Sequence, residues 1–152
     1  MNMSLFPLPQ AEIQAGFDRV VARCRELAAH GPAEAYCDLG EEGGVLKELL
    51  LRAGVVEITE LALFGGALLG DDGAGTICAF LSAGEVQRVD GVLSGIRVDE
   101  VMSVAPDVLA GIVVGGIPEG YAEDLGTTLT EVCALYGRAA RAGLCMAHLH
   151  EG

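Results

Sequence analysis

Acidic residues next to glycines are the groups in this sequence whose types and spacing suit the binding of a small molecule. Asp38 precedes the segment Glu41-Glu42-Gly43-Gly44, which lies between an alternating apolar segment and an amphipathic one. The backbone N–H groups at the start of a helix are free to hold a carboxylate, while adjacent glutamates repel phosphate and attract an amine. The segment also fits an ordinary helix start. If the segment is a binding site, it indicates a zwitterionic ligand. An amino acid meets both requirements, because it has a carboxylate for the backbone N–H groups and an ammonium group for the glutamates.

A second acidic pair, Asp71-Asp72, lies within the glycine-rich segment Gly65–Gly75. Two adjacent carboxylates offer hard oxygen ligands to a divalent cation, but aspartates are also common in turns, where they bond to nearby backbone N–H groups. We interpret the segment as a β-hairpin that closes over a ligand held at Gly40–Lys47. The predicted ligand-binding residues are Asp38, Glu41, Glu42, Gly43, Gly44, Asp71 and Asp72.

The carboxyl-terminal segment Cys145–Glu151 is where thiol and imidazole ligands cluster. On a β-strand, His148 and His150 point to the same side, about 7 Å apart. Two such ligands suit zinc or copper when a third ligand comes from elsewhere in the chain. His148 and His150 are therefore a candidate metal site, and the sequence identifies no cofactor.

Motifs that would identify an enzyme do not occur in the sequence. There is no HExxH, GxSxG or GxGxxG pattern. Glu57, Glu60, Asp99 and Glu100 form a carboxylate cluster only if the two predicted strands that carry them are neighbours. Whether the protein is an enzyme is left open.

The elements that must position these residues follow from the spacing of the apolar side chains. Between residues 33 and 105, period-two spacing alternates with helical spacing. The predicted order is strand Ala33–Leu39, helix Glu41–Arg52, strand Val55–Leu63, a hairpin, strand Thr76–Ser82, helix Val86–Ile96 and strand Val98–Val104. This β-α-β-β-α-β order is typical of ferredoxin-like α+β folds.

The flanking segments are predicted to extend this core within a single domain, residues 1–152. Met1–Pro9 is interpreted as a loosely ordered lead, and residues 10–30 as an amphipathic helix. Residues 106–152 are predicted to add a β-α-β unit, namely strand Val108–Val114, helix Glu119–Ala142 and strand Leu144–His150.

The predicted sheet needs a cover on its second face, because both core helices lie on the first one. Extra helices or a second subunit would supply it. We therefore expect a homo-oligomer, most simply a dimer, that buries the remaining sheet face or helix Glu119–Ala142.

Charge and composition argue against several classes of function. The chain has 152 residues with 22 acidic and 9 basic side chains, a net charge of −13 that repels nucleic acid. No apolar run reaches the roughly 18 residues of a membrane span, and the amino-terminal residues do not resemble a signal peptide. The five cysteines form no CxxC pair, which indicates a reduced, cytoplasmic compartment.

The segment Gly44-Val45-Leu46, which follows the apolar alternation at Ala35–Leu39, resembles the start of the first helix in small-molecule-sensing ACT domains. Gly43 stands where those domains usually have a proline. PII-like proteins are similar in predicted topology, with a mobile loop in the place of Phe64–Gly75, and Leu51–Glu57 resembles shell-forming microcompartment domains. The resemblance to ACT and PII-like domains implies a ferredoxin-like fold and the binding of a small regulatory molecule.

We therefore predict a non-enzymatic, small-molecule-binding regulatory or sensing domain that acts as a homo-oligomer. Two alternatives stay open, namely a small enzyme that uses acidic residues or the carboxyl-terminal histidines, and a structural, shell-like or scaffold protein. A ligand-dependent thermal shift favours the first function, retained metal the second, and regular sheets or rings in electron micrographs the third.

Overall fold

A five-stranded antiparallel sheet forms the centre of this α+β fold, and the computed structural model describes residues 1–152. The strands are β1 (Asn2–Leu8), β2 (Cys37–Gly40), β3 (Ala67–Asp71), β4 (Thr76–Leu81) and β5 (Cys145–Glu151). Their order across the sheet is β2-β1-β5-β4-β3, and every neighbouring pair is antiparallel. Strands β2 and β3 are therefore the two edges.

Eight α-helices and one 3-10 turn, Ala33–Ala35, surround the sheet. The helices are α1 (Gln10–Gln14), α2 (Phe17–His30), α3 (Gly43–Arg52), α4 (Thr59–Phe64), α5 (Ala83–Leu93), α6 (Val98–Met102), α7 (Ala105–Ile112) and α8 (Tyr121–Arg141). None of the eight is both long and apolar enough to span a lipid bilayer.

Helices cover both faces of the sheet. Leu5, Leu81 and Met146 join the larger core with α3 to α8, while Phe6 and Ala147 join the smaller core with α1 and α2. The expected cover for the second face is thus supplied by the amino-terminal helices. Most of both sheet faces is therefore covered within one chain.

The amino-terminal segment is a strand inside the sheet, so the prediction of a loosely ordered lead at Met1–Pro9 is wrong. Strand β1 lies between β2 and β5. Its sequence is apolar without alternation because both of its faces are buried. Pro7 weakens the strand pattern in the sequence. It is accommodated because β2 pairs only with Met3–Leu5, so Pro7 has a partner strand on one side, β5.

Three predicted strands are helical in the structure, and the ferredoxin-like unit over residues 33–105 is not formed. Helix α4 covers the second half of the strand predicted at Val55–Leu63. Helix α6 covers most of the strand predicted at Val98–Val104, and α7 replaces the strand predicted at Val108–Val114. Short apolar segments do not distinguish a buried strand from a buried helix by periodicity alone. Two helix-start signals were present, Asp99 and Glu100 in the first turn of α6 and Pro106 in the first turn of α7.

The longer periodic segments agree with the predictions within a few residues. Helices α3, α5 and α8 and strands β4 and β5 all lie where the spacing placed them. The predicted helix at residues 10–30 is divided into α1 and α2 at Gly16, whose φ of 100° favours glycine.

Candidate functional site

The two halves of the predicted ligand site lie at the same end of the sheet but at opposite edges. Gly40 pairs with Met3, Met3 with His150, His150 with Ile77, and Ile77 with Asp71. Four strand spacings separate the two outer residues, or about 19 Å at roughly 4.8 Å per strand. The helix start at residues 41–44 and the hairpin aspartates therefore do not meet within one chain.

The hairpin aspartates shape the turn between β3 and β4. Asp71 Oδ1 accepts a hydrogen bond from Gly73 N at 3.0 Å, and Asp72 Oδ1 accepts from Ala74 N at 2.8 Å and Thr76 N at 2.9 Å. The backbone N–H groups of Thr76 and Ala74 lower the pKa of Asp72 below its ordinary value. In the described structure, these side chains act as turn formers.

The start of α3 is packed on one side and open on the other. A Cβ placed on Gly43 would lie 2.4 Å from Met3 Sδ, whereas one placed on Gly44 meets no atom within 4 Å. Glu42, at the amino-terminal cap, accepts a hydrogen bond from Tyr121 Oη, and Glu41 is exposed. Burial and this bond raise the pKa of Tyr121 to about 12, so the phenol stays protonated and donates to Glu42.

A cleft of about 440 Å³ opens between the 3-10 turn, β2 and α8, and it contains one of the predicted residues, Asp38. Tyr36 and Asp38 lie two residues apart and so point to the same side. Glu131 and Arg138 lie seven residues apart on α8, on one face of the helix. The residues that line the cleft are Ala33, Glu34, Tyr36, Asp38, Glu131, Ala134 and Arg138.

The charged groups of this cleft are not paired with one another. None of the ion pairs in the structure includes Glu34, Asp38, Glu131 or Arg138. Arg138 Nη2 donates to the backbone oxygen of Glu34 at 3.0 Å, which orients the guanidinium and leaves most of its five N–H donors free. Three carboxylates against one guanidinium give the cleft a net charge of −2.

The walls of the cleft are firmly held. The Tyr36 ring stacks on Phe6 with centroids 5.3 Å apart and planes at 10°. Cys37, next to Tyr36, is buried, and its pKa is raised to about 12 by burial first and by Glu131 and Asp38 second. The thiol is therefore protonated and is not a nucleophile at neutral pH.

His148 and His150 point to the same face of the sheet, as predicted, and bind backbone oxygens there. His148 Nε2 lies 3.1 Å from the oxygen of Ala62, and His150 Nε2 lies 3.3 Å from the oxygen of Phe64. Both oxygens belong to the last turn of α4, where the carbonyl groups have no hydrogen-bond donor within the helix. No group of three or more His, Cys, Asp or Glu side chains is arranged to hold a metal ion.

The four other carboxylates considered in the sequence do not form a cluster across strands. Glu60 on α4 pairs with Lys47 at 2.7 Å, and Asp99 and Glu100 on α6 pair with Arg97 at 3.7 and 3.6 Å. Glu57 is exposed in the turn before α4. Each lies on a helix or turn because the strands expected there do not exist.

Sequence reasoning missed Glu34, Glu131 and Arg138. Arg138 and Glu34 are 104 positions apart, and no pattern in one sequence links residues so distant. The spacing of Glu131 and Arg138 on a predicted helix was a usable signal that they share a face, but not that this face meets β2.

Comparisons with known proteins show the fold. Neither a protein-family model nor a curated protein matches the chain. A crystal structure described as a protein of unknown function, YfbM from Escherichia coli, is similar, with a TM-score of 0.63 and 13% sequence identity. The similarity covers 99% of both chains, so the whole chain shares the fold of that protein.

Proposed function

We propose that this protein is a non-enzymatic, small-molecule-binding domain of the regulatory or sensing kind, and that it binds a basic amino acid in the cleft beside Arg138. The proposal rests on one observation, the four charged side chains that line a single cleft without pairing with one another. Unpaired charges of both signs in one cleft suit a ligand that carries both signs. The ligand class agrees with the resemblance to ACT and PII-like domains, although the site is different.

The guanidinium defines the carboxylate end of the ligand. Arg138 is held through its bond to the oxygen of Glu34, and its fork of free N–H donors matches a carboxylate in a bidentate arrangement. Glu131, Glu34 and the second carboxylate oxygen of Asp38, whose Oδ1 accepts from Gly40 N at 2.8 Å, then accept hydrogen bonds from ammonium groups. A basic amino acid has one carboxylate and two cationic groups, so its net charge of +1 is opposite in sign to the −2 of the cleft.

Size and shape agree with this ligand class. Small-molecule sites typically have volumes of roughly 300–1,000 Å³, and this cleft has about 440 Å³. The face of Tyr36, fixed by stacking on Phe6, offers an apolar surface for the methylene groups of a lysine or ornithine side chain.

Calorimetry with a matched set of ligands tests the proposal. Lysine is compared with norleucine, which lacks the side-chain ammonium, and with cadaverine, which lacks the carboxylate. We expect lysine to bind at least about tenfold more tightly than either, a difference of about 1.4 kcal/mol. No binding of lysine at millimolar concentration, or equal binding of cadaverine, would contradict it.

We further infer that two copies of the chain join through β3. Both sheet faces are covered, which leaves the edges. Strand β2 has four residues and carries Asp38 in its middle, whereas β3 has five, carries its one charged residue, Asp71, at its end, and exposes 63% of Leu68. An edge strand presents unpaired N–H and C=O groups, and antiparallel pairing of β3 with its own copy around a two-fold axis satisfies them.

A cytoplasmic location is part of the same proposal. All five cysteines are free thiols, and four of them are buried. Such thiols persist most readily in a reducing compartment.

A further inference from the structure

A groove of about 610 Å³ lies at the other edge of the sheet, between α1, the β3–β4 pair and the start of α5. Ile13, Leu69 and Phe80 form its apolar walls. The Arg138 cleft is at the β2 edge, so the groove is separate from the site proposed above. Its volume is within the roughly 300–1,000 Å³ that small-molecule sites occupy.

No charged side chain lines this groove. That is unusual in a chain with a net charge of −13. The four next clefts, of about 280 to 440 Å³, all include charged side chains. An ionic ligand would lose its hydration in the groove without gaining a counter-charge, which is costly, so the lining selects for uncharged molecules.

Polar groups line the groove on α1 and at the start of α5. Gln10 and Gln14 lie four residues apart on α1 and so share a face. Ser82 caps α5 by accepting a hydrogen bond from Glu85 N at 3.2 Å, and its hydroxyl hydrogen remains available to another acceptor. These groups can orient a ligand by hydrogen bonds rather than by charge.

The start of α5 does not reverse this preference for neutral ligands. A free helix start attracts anions, but here the Glu85 carboxylate accepts a hydrogen bond from Ser82 N at 3.0 Å. The negative charge of Glu85 already occupies the first turn of the helix. An anionic ligand at this position would be repelled by it.

We propose that this groove binds an uncharged, mainly apolar small molecule that has a hydrogen-bonding group at one end. The apolar body packs between Ile13, Leu69 and Phe80. The polar end bonds to the glutamine amides of α1 or to the Ser82 hydroxyl. This site is independent of the amino-acid cleft, and either can exist without the other.

Two fluorescent probes that differ by one charged group test the ligand class. N-phenyl-1-naphthylamine is neutral and apolar, and 8-anilino-1-naphthalenesulfonate has the same ring system with an added sulfonate. We expect saturable binding of the neutral probe and binding of the sulfonate that is at least about tenfold weaker. Equal affinity for both probes, or no saturable binding of the neutral one, would overturn the proposal.

Two glycines of α5 provide a matched pair of variants that locate the binding. A Cβ on Gly84 meets only Ser82 Oγ, at 3.9 Å, and a Cβ on Gly91 meets nothing within 4 Å. Gly84 lines the groove, and Gly91 lies about two turns away on the same helix. Gly84→Leu should raise the dissociation constant of the neutral probe at least about tenfold, and Gly91→Leu should leave it unchanged.

Thermal unfolding of each variant shows whether it is folded. We expect both variants to fold, because leucine is a better helix former than glycine. Equal probe affinity in the two variants would overturn the assignment to this groove. Should Gly84→Leu fail to fold, Gln14→Trp fills the groove from the opposite wall, at an exposed position. Unchanged probe affinity in the folded Gln14→Trp protein would also overturn the assignment of the probe to this groove.

Discussion

His148 and Tyr136 share a single hydrogen-bond acceptor, the backbone oxygen of Ala62. Tyr136 Oη donates to it at 2.6 Å, His148 Nε2 lies 3.1 Å from it, and the two side-chain atoms are 3.3 Å apart. His148 is 1% exposed, and its Nδ1 has no partner. The shared carbonyl implies that Nε2 carries the proton and that the ring is neutral. Protonation of Nδ1 would place an unpaired charge in the core.

Stability should therefore fall as the pH decreases from neutral. Burial lowers the pKa of His148 from 6.5 to about 4, and burial also lowers the pKa of His150. The unfolded chain takes up protons below its pKa of about 6.5 while the folded chain does not, so stability is complete above that pH and decreases down to about pH 4. His148 alone accounts for a loss of about 3 kcal/mol.

Urea unfolding at pH 7, 6, 5 and 4 measures this loss. His148→Gln retains an N–H donor for the Ala62 oxygen but does not titrate, so its stability should decrease less over the same range. His30→Gln, at an exposed position at the end of α2, is the control and should behave like the unchanged protein. The same pH dependence in His148→Gln and the unchanged protein would show that another group is responsible.

Gly43→Ala and Gly44→Ala should differ in stability although the residues are adjacent. The new Cβ at residue 43 would clash with Sδ and Cε of Met3, so this buried side chain must move. At residue 44 the space is open, and alanine improves helix propensity. Overpacking typically costs about 1–3 kcal/mol.

We expect the alanine at residue 43 to be the less stable of the two by about that amount in chemical denaturation. Equal stabilities would mean that Met3 moves without cost. Gly44→Val should leave lysine binding unchanged if the ligand lies in the Arg138 cleft rather than at the start of α3.

Arg138→Gln should weaken lysine binding without unfolding the protein. The side chain is exposed and is in no ion pair, so its loss removes mainly the bond to the Glu34 oxygen. Charged hydrogen bonds contribute about 1.5–3 kcal/mol, so the dissociation constant should rise at least about tenfold. Arg141→Gln, one turn further along α8 and outside the cleft, is the control.

Calorimetric titration of lysine into the two arginine variants tests this prediction. An equal loss of lysine affinity in both variants would indicate a general effect of net charge rather than a binding site at Arg138. Glu131→Gln should also weaken lysine binding, but should leave norleucine binding nearly unchanged if Glu131 faces the side-chain ammonium.

Leu68→Lys should prevent dimer formation through β3. A lysine on an edge strand opposes pairing with another strand, and in the two-fold arrangement both copies would bring the charge to the interface. Val56→Lys is a matched control, because Val56 is 65% exposed against 63% for Leu68 and lies outside the sheet. Light scattering should give a dimer mass for the unchanged protein and for Val56→Lys, and a monomer mass for Leu68→Lys. A monomer mass for the unchanged protein at micromolar concentration would refute the dimer.

The sequence by itself determined the elements whose apolar pattern is long or clearly periodic. Helices α3 and α8 could be predicted from local spacing, because helical and strand periods differ. The same reasoning placed His148 and His150 on one face of β5, since alternate residues of a strand point the same way. The sequence also placed Asp72 in a turn, but Asp71 ends β3, a strand that was not predicted within Gly65–Gly75.

Tertiary structure alone decided several of the short elements. Strand β1 is buried on both faces and so lacks alternation. Helices α4, α6 and α7 have only five to eight residues, too few for periodicity to distinguish a strand from a helix. Tertiary structure also decided the composition of the candidate site. Asp38 and Arg138 are 100 positions apart in the sequence, and they line one cleft because α8 packs beside an edge strand. A sequence states which residues share a face, but the meeting of two faces depends on the packing of the whole chain.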